Sequence, residues 1–126
     1  MRKFKLAGAF FALLSVILGA LASHFLKSYL DSQELDAFET GIRYMMYHGL
    51  SLLTLAGLEI PKNTWIFRLF FWGTLLFSLS IFVLCFQNFF SMDLSFLGLI
   101  TPLGGTLLIL AWITLILKII KNKSDI

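Results

Sequence analysis

The chain has 126 residues, enough for one compact unit, and is 59% hydrophobic and only 13% charged. A soluble domain carries about 25% charged residues, so the composition excludes an ordinary water-soluble fold and points to a bilayer. The net charge of +3 comes with no basic helix standing apart from the apolar runs, which excludes nucleic acid as a partner, and the one cysteine, Cys85, excludes a disulfide framework or a multi-cysteine metal centre.

Four apolar runs approach the ~20 residues that a bilayer crossing needs: 6–26, 42–60, 65–86 and 100–120. The first follows Arg2, Lys3 and Lys5 and ends in "LGALASHFLK". Its basic start and Ala20-Leu21-Ala22 imitate a secretory signal peptide. Cleavage after Ala22 would leave three spans and break the alternation of charge along the chain, so the segment is read as a permanent span. Gly8, Ala12, Ser15, Gly19 and Ala22 form one stripe at intervals of four, three, four and three. Such a small-residue face lets a second helix approach closely.

Between the first two spans, Asp31 and Glu34 have the spacing of a capping box. Leu35, Phe38 and Ile42 follow at helical intervals, which predicts one helix from about Ser32 through Leu58, about 40 Å long. Pro61-Lys62-Asn63 reads as a tight turn into the third span. That span places Gly73, Phe77 and Ser80 on one face as a packing groove, and Gly104 and Ala111 do the same in the fourth. Before the fourth span, Thr101 as N-cap with Pro102 at the first helical position predicts a helix start, leaving "SFLGLI" at the outer interface. The alternative is a helix from Ser95 kinked at the proline.

Charge orients these spans. Arg2, Lys3, Lys5, Lys62, Arg68, Lys118, Lys121 and Lys123 fall on one side, eight of the ten cations. Lys27 and Arg43 fall on the other with Asp31, Glu34, Asp36, Glu39 and Asp93. The expected architecture is an all-α membrane protein, a four-transmembrane-helix bundle with both termini cytoplasmic.

The second span, "TGIRYMMYHGLSLLTL", carries most of the polarity. Thr40, Arg43, Tyr44, Tyr47, His48, Ser51 and Thr54 fall within an arc of about 140° at 100° per residue. Such a stripe is expected to face protein or a wet cavity, because charge in hydrocarbon is costly. Glu39 lies four residues before Arg43 and is expected to form a structural ion pair with it. Asp36, or carbonyls near Thr101, are further acceptors for the guanidinium. His24 ends the first span in the same outer half, and the free N–H groups of a helix starting at Thr101 would suit an anion or a carbonyl oxygen. The candidate polar pocket is therefore His24, Arg43, Tyr44, Tyr47, His48 and Thr101. The same side chains also fit a plain structural reading, hydrogen bonding between helices. His24 projects opposite the small-residue stripe, so it faces either His48 or the headgroups. Two histidines without Cys or Glu at ligand spacing give no metal or haem motif. No nucleophile–base pair or pair of carboxylates lies within the spans, so no enzymatic activity, metal or cofactor is expected.

"GAFFALLSVILGALASHFLK", "LDAFETGIRYMMYHGLSLL", "GTLLFSLSIFVL" and "TPLGGTLLILAW" together resemble the YgdD/YwdK-like family of small bacterial integral membrane proteins (domain of unknown function 423). The resemblance runs over nearly the whole chain and rests on the order of the four blocks. Family members tend to end the first segment in Gly-Ala-His where this chain has Ala22-Ser23-His24, and the family pattern also matches Phe38, Arg43, Tyr44, Tyr47, His48, Ser78, Ser80, Pro102, Gly104, Gly105 and Trp112. It implies four helices in the bacterial cytoplasmic membrane and brings no activity.

The expected function is a non-enzymatic accessory or scaffolding subunit of that membrane. Its partners would be the lipid bilayer and a membrane protein or further copies of itself. The alternative is a binder of a small amphiphile (a quinone or a lipid headgroup), or a minimal transporter, with an outward-facing polar pocket.

Overall fold

The computed structural model describes residues 1–59 and 64–122. Among these all the regular structure is helical, with no strand. Helix α1 spans Arg2–His24 and α2 spans Ser32–Gly57. A third rod is built of α3 (Thr64–Thr74), a π-helical turn (Leu75–Leu79) and α4 (Ser80–Cys85), and α5 runs Leu97–Lys121. The expected turn at Pro61-Lys62-Asn63 and the cation Lys123 lie outside the described residues.

The start of α2 follows from its sequence. Asp31 takes an extended conformation, its side chain accepts from the Glu34 amide at 2.7 Å, and Glu34 accepts from the Asp31 amide at 2.9 Å. Two backbone donors that a helix end leaves over are thereby satisfied. The resulting helix of 26 residues is about 39 Å long.

The small-residue stripe of α1 faces α2 as expected. A Cβ on Gly8 would stand 2.6 Å from the Gly49 carbonyl oxygen, and one on Gly49 would stand 2.9 Å from that of Gly8. The two backbones cross in contact there, and Ser15 and Ala22 are buried farther along the same face. Aromatic edges then close α1 onto α3: Phe4 on Phe67 at 5.3 Å and Phe11 on Phe71 at 5.5 Å between ring centroids.

The third rod packs on α5 through the other predicted groove. A Cβ on Gly73 would meet Leu108 at 2.9 Å, and one on Gly104 would meet the Leu76 carbonyl carbon at 2.8 Å. Gly104 thus seats directly on the backbone of the π turn. Ser78 of that turn and Ser80 just after it aim their hydroxyls at different helices. Ser78 Oγ donates to the Gly41 carbonyl of α2 at 2.8 Å, whereas Ser80 Oγ shares a hydrogen bond with Thr101 Oγ1 of α5.

The expected helix start at Pro102 is corrected. α5 begins at Leu97 and carries Pro102 inside its second turn. A proline that early removes only the bond to the Gly98 carbonyl. The preceding turn is held by other means: Leu97, Gly98 and Leu99 amides donate back to Leu94, Ser95 and Phe96 at 2.9, 2.9 and 3.2 Å, and Ser80 ties down Thr101. Thr101 is therefore not an N-cap. Nor are the Leu97, Gly98 and Leu99 amides free to receive an anion.

Among the described residues three helices are long and apolar enough to cross a membrane: Arg2–His24, Trp65–Cys85 and Leu97–Lys121. α2 has the length but is diluted by the polar residues on its outward side. The cationic ends gather together. Lys3 Nζ lies 5.1 Å from the Phe67 ring centroid, and Asn122 of α5 donates to the Glu59 carbonyl beyond α2 at 3.2 Å. At the opposite end, Tyr29 meets Phe89 edge-on at 5.8 Å, and the Cys85 thiol donates to the Glu34 carbonyl at 3.2 Å.

Candidate functional site

The polar stripe of α2 does not enter one pocket. The buried face of the helix is formed by Phe38, Gly41, Met45, His48, Gly49, Leu52 and Leu55. At 100° per residue the stripe straddles the edge of that face. His48 goes in; Arg43, Tyr47 and Thr54 stay out.

His48 is 5% exposed and both ring nitrogens are engaged. Trp112 Nε1 of α5 lies 3.1 Å from Nε2, and Nδ1 lies 2.7 Å from the Tyr44 carbonyl oxygen. An indole N–H only donates, so Nε2 must accept, and a carbonyl only accepts, so Nδ1 must carry the proton. The pair of partners therefore fixes the neutral Nδ1–H tautomer. Tyr44 stacks on the imidazole at 6.0 Å, Phe70 and Trp112 surround it, and Phe70 meets Trp112 edge-on at 5.1 Å. The node joins α2, α3 and α5. Neither nitrogen is left over for a metal or a substrate.

Of the other expected members Tyr44 stacks on His48, whereas His24, Arg43 and Thr101 are elsewhere. His24 is exposed in the last turn of α1 and is not a partner of His48. Thr101 sits at the α4–α5 contact with Ser80. Arg43 is exposed, and its guanidinium donates to Thr40 Oγ1 at 3.2 Å. Among the described residues it forms no ion pair with Glu39 or Asp36, so the expected structural ion pair is not made within the chain. The guanidinium takes instead the hydroxyl one turn back on its own helix. The Tyr44 and Tyr47 rings lie 5.9 Å apart.

Deeper hydroxyls on this face are closed on their own helix. Ser51 Oγ donates to the Tyr47 carbonyl at 2.7 Å and Thr54 Oγ1 to that of Leu50 at 2.9 Å. Among the described residues no buried side-chain nitrogen or oxygen lacks a partner.

A separate open cleft of about 550 Å³ lies at the N-terminal ends of α2 and α5 and the C-terminal end of α4. Gln33, Glu34, Gln87, Asn88 and Thr101 supply polar groups to its wall, and Ala37, Ile81, Leu84 and Pro102 the apolar ones. Thr101 alone belongs to the expected set. Beyond the cleft, Asp93 accepts from the Ser95 hydroxyl at 2.7 Å and from its amide at 3.1 Å. Those bonds favour the carboxylate and hold Asp93 below its ordinary range.

Residue-by-residue reading missed the Trp112 donor, the Ser78–Gly41 bond and the cleft. One signal was available: a histidine with two nitrogens to satisfy and a tryptophan with one N–H to place, each inside an apolar run, are complementary needs.

A family model described as a protein of unknown function (DUF423) matches residues 18–105. The UPF0382 membrane protein YwdK of Bacillus subtilis is 37% identical, with 96% of this chain and 98% of the relative covered. The UPF0382 membrane protein SSP2132 of Staphylococcus saprophyticus is 33% identical over 96% and 99%, and a UPF0382 membrane protein of Haemophilus influenzae is 33% identical over 86% of each. No solved structure matches.

Proposed function

The chain belongs to the DUF423 family of membrane proteins, and on that premise we infer that it is a four-span accessory or scaffolding subunit of the bacterial cytoplasmic membrane, without enzymatic activity of its own. α2 is taken as the fourth span. Its 26 residues suffice for a crossing, and it is enclosed by apolar neighbours on one side. Arg2, Lys3, Lys5, Arg68, Lys118 and Lys121 share one end of the bundle, and this supports, by the positive-inside rule, a reading with both termini in the cytoplasm. A reporter at the C-terminus should then be cytoplasmic and one inserted at Gln33 exported.

The observation that carries the accessory role is the outward face of α2. Arg43, Tyr47 and Thr54 look away from the bundle, while among the described residues the buried side-chain polar groups are all satisfied inside it. A charge beside aromatic and hydroxyl groups on the outside of a span suits another protein better than acyl chains. A photo-crosslinking residue in place of Tyr47 should capture a protein neighbour in intact membranes. The same residue in place of Ile17, on the outward face of α1, should capture none above background. Equal, negligible capture at both would refute the role.

A second reading, the amphiphile binder or minimal transporter, is favoured by the outer cleft alone. Its volume falls in the range of small-molecule sites, about 300–1,000 Å³. Binding of a quinone or a short-chain lipid that disappears on Gln87→Leu would support it; flux or binding no greater than in protein-free liposomes would remove it.

A further inference from the structure

Ser51 and Thr54 can face lipid at little cost, since their hydroxyls are bonded to their own helix. Arg43 cannot. It lies in the third to fourth turn of α2 and among the described residues bonds only a neutral hydroxyl, Thr40. Glu39 and Asp36 stand one and two turns farther out on the same side of the helix, and neither pairs with it within the chain. An unneutralised cation and nearby unneutralised carboxylates on one face are complementary to a second copy of that face.

The spacing fits such a pairing. Asp36, Thr40, Arg43, Tyr47, Leu50 and Thr54 recur at intervals of four, three, four, three and four. This is the repeat of a seam between helices that run side by side at a shallow left-handed crossing. Copies inserted in one membrane share one orientation, so a symmetric pair has its axis along the membrane normal and its two α2 helices parallel. Side chains lean toward the helix N-terminus, which for α2 is outward. Each Arg43 is thereby directed toward the level of the other copy's Glu39.

We propose that the protein is a homodimer in the membrane, joined through the outward face of α2 by two reciprocal Glu39–Arg43 ion pairs, with Tyr47 and Leu50 packed below them. The proposal rests on reading that face as a protein contact and names its partner.

The test uses the full chain in its own membrane with Cys85→Ser, so that no native thiol remains. Leu50→Cys, oxidised in isolated membranes, should give a disulfide-linked dimer, and Leu13→Cys on the outward face of α1 should give none. Glu39→Lys and Arg43→Glu, each added alone to Leu50→Cys, should lower the cross-linked fraction about tenfold, as loss of charged hydrogen bonds implies. When the two reversed chains are co-expressed with different tags they should cross-link to each other. Misfolding of either variant cannot produce that mixed product. Cross-linking indifferent to both reversals, or absence of the mixed dimer, overturns the proposal. In the Tyr47 photo-crosslinking experiment, an adduct of twice the chain mass is expected. An adduct with a different protein overturns the homodimer and leaves the accessory role standing, whereas no adduct at all removes both.

Discussion

The outward face of α1 carries Leu6, Phe10, Leu13, Val16 and Leu21, all well exposed. The outward face of α2, the helix it crosses at Gly8 and Gly49, carries Asp36, Arg43, Tyr47 and Thr54. Both helices are packed from the inside by the same device, small residues that let backbones touch. Their exteriors obey different constraints. The face of α1 needs only to match acyl chains, and almost any apolar residue would serve. The face of α2 has a charge to neutralise, and lipid tails offer nothing to do so. Average apolarity therefore singles out α1, the third rod and α5 as candidate spans and leaves out α2, whose polar residues are concentrated on one side.

That contrast can be broken most severely from the α1 side. Leu13→Arg puts a charge at the middle of a lipid-facing span, at a cost of about 2.5–3.5 kcal/mol to insertion. Membrane-integrated protein should fall sharply in a glycosylation-mapping or carbonate-extraction assay. Arg43→Leu makes the face of α2 resemble that of α1 and should leave insertion intact.

Next in size come the inner contacts that both halves of the bundle share. Gly104→Ala forces a methyl group against the Leu76 and Phe77 backbone and should destabilise the protein by about 1–3 kcal/mol in detergent unfolding. Gly98→Ala is the matched control, because a Cβ there meets nothing within 4 Å and the melt should be unchanged or slightly raised.

Smaller again is the effect at the inward edge of the polar stripe. Trp112→Phe keeps the ring but leaves His48 Nε2 buried without its donor, costing about 1–2 kcal/mol. Adding His48→Phe should recover part of that loss, since the orphaned acceptor is removed as well. Equal, additive losses in the double-mutant cycle would mean that the hydrogen bond contributes nothing.

The least effect is expected at Asp93. Its carboxyl is depressed in the folded loop by the two bonds from Ser95. A depressed folded pKa stabilises the loop above the ordinary carboxylate value, and that contribution is lost as pH falls through the lowered one. The Ser95 amide resonance should therefore titrate below the usual aspartate range in wild type. It should not titrate with Asp93→Asn, and global unfolding should be the same in both.

Much of this protein is dictated locally and so can be read from its residues. The apolar runs, the Asp31–Glu34 capping box, the small stripe from Gly8 to Ala22 and the helix passing through Ser32–Gly57 depend on composition, periodicity and neighbours a few positions away. The stripe on α2 was equally visible as a set of residue types at 100° per residue. What periodicity cannot supply is the absolute angle at which a helix is turned toward its neighbours. That angle is decided by where Gly41 and Gly49 find the tightest fit against α4 and α1, and it carries His48 to Trp112 while leaving Arg43 outside. The helix through Pro102 has the same kind of cause. Local preference at Thr101-Pro102 favours a start, but Ser80, twenty-one positions away in the chain, holds the turn before it. Sequence alone determined which faces exist on each helix; only the tertiary structure decided which of them look inward, because that choice depends on the close fit of side chains far apart in the chain.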